Sequence, residues 1–214
     1  RDAQESRGLG DVYKRQEPET QKCEAILQAW YPGQQGGKAV AEVLFGDYNP
    51  AGKLPVTFYR NVSQLPDFED YNMTGRTYRY MQDVPLFPFG YGLSYTTFGY
   101  GKTVLDKNEL TAGQSLKLTV PVTNTGKRNG EEVVQVYLRK QGDAEGPIKT
   151  LRAFKRVSIP AGKTVNVEFD LKDKELEWWD DQSNTVRVCP GNYDIMVGGS
   201  SKEEDLQRTT IAIK

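Results

Sequence analysis

Leu116-Lys-Leu-Thr-Val-Pro-Val-Thr123 sets Leu116, Leu118, Val120 and Val122 on alternate positions, with Lys117, Thr119 and Thr123 between them. Successive residues of a strand face opposite ways, so this stretch reads as a strand with one buried and one wet face. The pattern recurs downstream in Val134, Val136 and Leu138. Leu151, Phe154 and Val157 follow less regularly, and Val165, Val167, Phe169 and Leu171 restore the alternation. Tyr193, Ile195 and Val197, then Ile211 and Ile213, close the series. Turn residues stand between the runs: Asn124-Thr-Gly126, residues 143–147, Pro160-Ala-Gly162 and Pro190-Gly191. Six or seven short strands over about 115 residues predict an all-β immunoglobulin-like sandwich spanning 99–214.

Upstream the period changes. Lys38-Ala-Val-Ala-Glu-Val-Leu-Phe45 carries Val40, Val43 and Leu44 at helical spacing, with Gly46 placed as a C-cap. The apolar run 23–31, bounded by Pro32-Gly33, reads as a buried parallel strand, although periodicity alone also admits a helix. Leu54-Pro-Val-Thr-Phe58 reads as a short edge strand, because Pro55 removes a ladder donor. Strand, helix and strand make one partial α/β unit over 22–60. Residues 61–98, rich in Tyr, Pro and Gly, read as an ordered connecting loop, since so many aromatics would otherwise be exposed. The expected class is therefore an α+β composite: a strand-helix-strand unit followed by the sandwich. Residues 1–21 are charged, Gly-interrupted and without periodicity, and are set aside as a foreign leader.

Composition excludes several functions. Lys and Arg number 28 and Asp and Glu 29, which gives no electrostatic footprint for nucleic acid or an anionic membrane. No apolar run reaches the roughly 18 residues of a transmembrane helix. The chain has no histidine, which removes Ser-His-Asp and Cys-His chemistry and any His-bearing zinc site. Cys23 and Cys189 lie far apart; they leave open a disulfide or two half-buried thiols, and thiols are expected. Oligomeric state is not legible.

Gly33-Gln-Gln-Gly-Gly-Lys38 invites a phosphate-loop reading, but three residues rather than four separate Gly33 from Gly37, and Ala39 follows the lysine. It reads instead as a tight turn into the helix. Glycoside cleavage with retention needs two carboxylates about 5 Å apart. Asp67, Glu69 and Asp70, Asp180 and Asp181, and Glu203, Glu204 and Asp205 are available by count. Each group reads as a solvated surface run, and none sits where a carboxyl pKa would rise opposite a partner. Within Gly75-Arg-Thr-Tyr-Arg-Tyr80, Arg76, Tyr78, Arg79 and Tyr80 are candidate sugar contacts or interdomain contacts; a staple joining the two halves is the simpler role. Trp178 and Trp179 suggest a carbohydrate platform, yet adjacent strand residues face oppositely, so at most one can be exposed. Asn61-Val-Ser63 and Asn72-Met-Thr74 fit the short N-glycosylation pattern, which is frequent by chance.

Four ordered motifs together carry a resemblance: Ala29-Trp-Tyr-Pro-Gly-Gln34, Gly37-Lys-Ala-Val-Ala-Glu-Val-Leu-Phe-Gly46, Asn49-Pro-Ala-Gly-Lys-Leu-Pro55 and Phe87-Pro-Phe-Gly-Tyr-Gly-Leu-Ser-Tyr95. They resemble the C-terminal part of family 3 glycoside hydrolases. Val122-Thr-Asn-Thr-Gly126 and Pro190-Gly-Asn-Tyr-Asp-Ile-Met-Val-Gly198 resemble that family's fibronectin type III-like domain. The resemblance covers about residues 22–213. It implies a parent with a barrel, an α/β domain and a fibronectin-like domain, acting as a retaining exo-β-glycosidase on a carbohydrate substrate without metal or organic cofactor. It also implies a periplasmic or extracellular location. The family's aspartate nucleophile and glutamate acid/base would precede residue 22, so no catalytic residue is carried over and the isolated chain is predicted inactive. Residues 75–90 are similar to the β-xylosidase branch, although β-glucosidases share most of them. A non-catalytic module binding carbohydrate or protein is the alternative, but such a module would not be expected to begin inside a sheet, with strand edges unpaired.

Overall fold

The computed structural model describes residues 22–214. Its core is the sandwich. The elements are β1 (Phe98–Tyr100), β2 (Val104–Leu105), β3 (Glu109–Leu110), β4 (Leu116–Asn124), β5 (Gly130–Lys140), β6 (Thr150–Ile159), β7 (Thr164–Leu171), β8 (Trp178–Asp180), β9 (Thr185–Arg187), β10 (Gly191–Gly198) and β11 (Gln207–Ile213). One sheet centres on β4, which pairs antiparallel with β7 along its length and with β1 and β2 on its other edge. The second runs β3-β11-β10-β5-β6, and β8 and β9 form a separate hairpin. The six runs read from the sequence are all strands. The short β1, β2, β3, β8 and β9 escaped notice because two or three residues hold no period.

Leu116, Leu118, Val120 and Val122 point into the core against Val134, Val136, Leu138, Val167 and Ile195. Alternation holds on β4 and β7 because their outer face is partly wet. It fails on β5, where Val134 through Leu138 are all buried, and on β10, where the last six residues are buried. Those strands are covered on both faces, and on β5 the outer cover is the connecting segment 76–91. There the Tyr137 ring meets Tyr78 edge-on with centroids 5.9 Å apart.

Before the sandwich stands α1 (Gly36–Phe45), entered by a turn in which Gly36 N–H donates to Gly33 O at 2.9 Å. A Cβ on Gly36 would lie 2.3 Å from the Pro32 Cβ, so this glycine is sterically required. Gly46, at φ 82°, closes the helix as a left-handed cap.

The extended segments around α1 depart from expectation. Residues 23–31 form no strand, and Ile26, Leu27, Trp30 and Tyr31 remain between 43% and 62% exposed. A parallel strand persists only with neighbours on its edges and cover on its faces, and this run joins no sheet among the described residues. Residues 54–58 make one bridge, Phe58 to Phe87, flanked by Leu54 N–H to Tyr91 O at 2.8 Å and Gly90 N–H to Leu54 O at 2.7 Å. The partner is the connecting loop rather than a sheet. The fold class stands as a small helix and extended unit followed by the sandwich. The leader read over 1–21 lies outside the described residues. Cys23 is exposed and Cys189 buried, with no disulfide between them. No helix among the described residues is long and apolar enough to cross a membrane.

Candidate functional site

The chemistry-bearing motifs meet at the seam between the connecting segment and the sandwich. The turn α2 (Thr77–Tyr80) is pinned at its start. Thr77 N–H donates to the Tyr59 hydroxyl at 2.9 Å and Tyr78 N–H to Thr57 Oγ1 at 3.0 Å. From this turn the four candidate side chains diverge. Arg76 Nε donates to Asn72 O at 2.9 Å, and its Nη2 reaches the Asp67 and Asp70 carbonyls, so it organises the acidic loop. Tyr78 enters the seam, stacks on Phe89 with centroids 4.3 Å apart and accepts the Leu151 N–H at 3.1 Å. The Arg79 guanidinium lies 5.5 Å over the Tyr80 ring, and Arg79 O accepts the Ile148 N–H at 2.6 Å. These side chains do not converge on one cavity.

The Phe-Gly-Tyr-Gly run is a close-packing device. Gly90 has φ 78°, and a Cβ there would meet Gln135 Oε1 at 2.1 Å; a Cβ on Gly92 would meet Gly52 O at the same distance. Gln135 Nε2 donates to Gly90 O at 3.2 Å and Gly199 O at 2.6 Å, tying the loop to the second sheet. Ser201 N–H adds a bond to Phe89 O at 2.9 Å.

Beside this contact runs an open groove of about 560 Å³, lined in part by Lys53, Tyr91, Tyr100, Glu132 and Gln207. At its floor Lys53 Nζ lies 3.2 Å from the Glu132 carboxylate and donates to Gly92 O at 3.0 Å. The Tyr100 hydroxyl donates to Glu132 Oε1 at 3.0 Å. Burial raises the Glu132 pKa above the ordinary glutamate value, against the lowering effects of Lys53 and Tyr100. Sequence reading found no carboxylate in such a setting. Glu132 is that carboxylate, and only the folding of residues 53 and 100 over β5 creates its surroundings. Its neighbours are a lysine and a tyrosine rather than a second acid.

The acidic runs do behave as surface groups. Asp180, bonded by Ser183 and Arg187, has its pKa held down to about 2. Bonding from Asn72 lowers that of Asp70. For Glu203 burial acts upward, but the bonds from Lys149 and Arg208 prevail and lower it. Trp178 is buried, with its indole N–H on Asp143 Oδ2 at 2.7 Å, while Trp179 is 48% exposed. The pair therefore forms no flat double platform. Among the described residues no acid or thiol cluster could hold a metal ion.

A helix-and-loop unit is docked on a two-sheet sandwich, and Tyr78 is turned into the seam between them. Residues 9–95 match the glycosyl hydrolase family 3 C-terminal domain, and residues 132–201 match the fibronectin type III-like domain. The chain belongs to glycosyl hydrolase family 3 and corresponds to its C-terminal part. It is 55% identical over 197 residues to a xylan 1,4-β-xylosidase of Xylanibacter ruminicola, covering 92% of this chain and 22% of that protein. It is 43% identical over 196 residues to a β-xylosidase of Formosa agariphila, covering 89% and 27%. Among solved structures, a β-glucosidase from Erythrobacter marinus superposes with a TM-score of 0.78 at 42% identity, over 91% of this chain and 26% of that one. The chain thus spans about a quarter of the length of the relatives it matches.

Proposed function

We propose that the longer protein containing this chain is a retaining exo-β-glycosidase, a β-xylosidase in the first instance, which releases single sugars from non-reducing ends. In this reading the present residues are its non-catalytic scaffold. Of nineteen large apolar residues left exposed among the described residues, fifteen lie between Ile26 and Tyr95 and only four in the sandwich. That asymmetry carries the proposal. An apolar surface so concentrated in one part of a chain is a contact face for more protein. The names of the relatives supply the chemistry, and the two xylosidases supply the lean towards xylose.

The division that fits this role is 22–60 as the end of the family's α/β domain, 61–98 as the connector and 99–214 as the sandwich. Arg76, Tyr78, Arg79 and Tyr80 then serve as joint residues rather than contacts to the glycosidic substrate. The supporting observations are that Arg76 holds the 67–72 loop and that Tyr78 stacks on Phe89 and accepts the Leu151 N–H, while the Arg79 guanidinium rests on Tyr80. Removing a nucleophile or an acid/base costs a retaining glycosidase several orders of magnitude. The purified 214-residue chain should therefore release no nitrophenol from aryl β-xylosides or β-glucosides, whereas the longer protein should turn over the xyloside. Turnover by the short chain, abolished by Asp67→Asn, Glu69→Gln or Asp70→Asn, would overturn the assignment.

A further inference from the structure

Four buried side-chain polar atoms of the described residues have no hydrogen-bond partner, and three are Arg79 Nε, Thr150 Oγ1 and Arg152 Nε. They share one place. The bonds from Ile148 N–H to Arg79 O and from Leu151 N–H to the Tyr78 hydroxyl lay α2 along the start of β6. β6 bulges at Arg152, the residue left without a partner where the pairing steps from Val136–Ala153 to Tyr137–Leu151, and Thr150 lies two positions before it. The two guanidiniums are close enough that the Arg79 charge adds to burial in lowering the basicity of Arg152. Each rests on an aromatic ring, Arg79 on Tyr80 and Arg152 on Trp178, both at 5.5 Å. The rings satisfy the guanidinium faces and leave the N–H edges unmet.

Arg152 places one Nη2 donor on Glu177 O at 2.6 Å. The nearby Asp143 is committed, its two oxygens accepting the Trp178 indole and the Gly146 N–H. Neither arginine joins the ion pairs formed among the described residues, although acids outnumber bases in the chain. Two adjacent half-buried cations with idle donors repel each other and forfeit hydrogen bonds, and one acceptor carrying negative charge answers both costs.

We propose that this seam is an oxyanion site in which Arg79 and Arg152 present their guanidinium edges to a single carboxylate group. A planar carboxylate matches the guanidinium fork better than a point anion does. The group belongs either to a small free acid, such as a sugar acid, or to an acidic side chain elsewhere in the longer protein. The site is independent of the glycosidase assignment.

The test is nitrogen-15 NMR of the arginine Nε–H resonances in the 214-residue chain, titrated with sodium acetate and with D-glucuronate against sodium chloride at matched ionic strength. Saturable shifts confined to Arg79 and Arg152, with Arg128 and Arg187 unmoved, are expected. Arg152→Lys keeps the charge and most of the packing but loses the fork, and should weaken binding roughly tenfold. Shifts that match chloride, fail to saturate, or survive both Arg79→Lys and Arg152→Lys unchanged would overturn the site and leave an ordered water as the missing partner. In the longer protein, a free-acid source keeps the titration, whereas an internal acid leaves both resonances already displaced and unresponsive.

Discussion

Asn124 is the place where a single atom exchange should be felt most. It is fully buried at the end of β4. Its Nδ2 donates to Arg128 O at 2.8 Å and Ile159 O at 2.9 Å, while its Oδ1 accepts from Thr96 Oγ1 at 2.6 Å and Gly126 N–H at 3.1 Å. The side chain thus ties the 124–130 turn, the end of β6 and the approach to β1 in one knot. Asn124→Asp preserves shape and exchanges two donors for an oxygen facing two carbonyls. Two lost bonds, together with the carbonyls left unmet, cost about 3–5 kcal/mol at neutral pH. For a chain of this size that corresponds to a fall in Tm of roughly 6–20 °C.

The loss should also depend on pH in one direction. Burial against carbonyls raises the folded pKa of the introduced Asp above its unfolded value of about 3.9. The protonated acid restores one donor. Stability is therefore regained below pH about 4 and lost as pH rises through the folded pKa. Urea unfolding followed by Trp fluorescence at several pH values measures both effects. A variant within about 1 kcal/mol of the parent at pH 7, or one equally destabilised at every pH, would refute this account of the knot.

Three other outcomes follow from the seam and the sandwich. The raised Glu132 pKa means that its protonated form is favoured in the folded state, so its contribution is full below the ordinary value of 4.5 and declines as pH rises through the folded pKa. Glu132→Gln should therefore gain stability relative to the parent between pH 4.5 and neutrality, and paired urea melts showing the opposite slope would contradict the burial argument. Trp178→Ala, which empties a buried site and strands Asp143, should cost about 3–5 kcal/mol, and Trp179→Ala under about 0.5 kcal/mol; equal losses in thermal melts would contradict the two-faced strand. Tyr78→Phe should cost about 1 kcal/mol for the lost acceptor of Leu151 N–H, and Tyr78→Ala about 2–4 kcal/mol for the emptied stack on Phe89; hydrogen exchange at Leu151 should rise in both.

Local chemistry was enough to mark the elements whose surroundings are simple. β4 and β7 keep one core face and one wetter face, so Leu116 to Val122 and Val165 to Leu171 announce themselves by period two. The end of α1 is equally local, because Gly46 needs only a left-handed φ to stop a helix. Gly90 and Gly92 of the fourth motif stand where a Cβ would collide with Gln135 and Gly52, so the sequence marks a close approach there without saying to what. What the chain's order could not reveal depends on residues far apart in sequence. Residues 23–31 are apolar enough for a strand, but strand formation is a property of the partners beside it, and this run joins no sheet among the described residues. Val134 to Leu138 hide both faces because residues 76–91 fold over them, and Glu132 becomes a buried acid because Lys53 and Tyr100 close around it from 79 and 32 positions away. Burial and pairing at those distances set desolvation and charge, and these belong to the tertiary contact rather than to any local stretch.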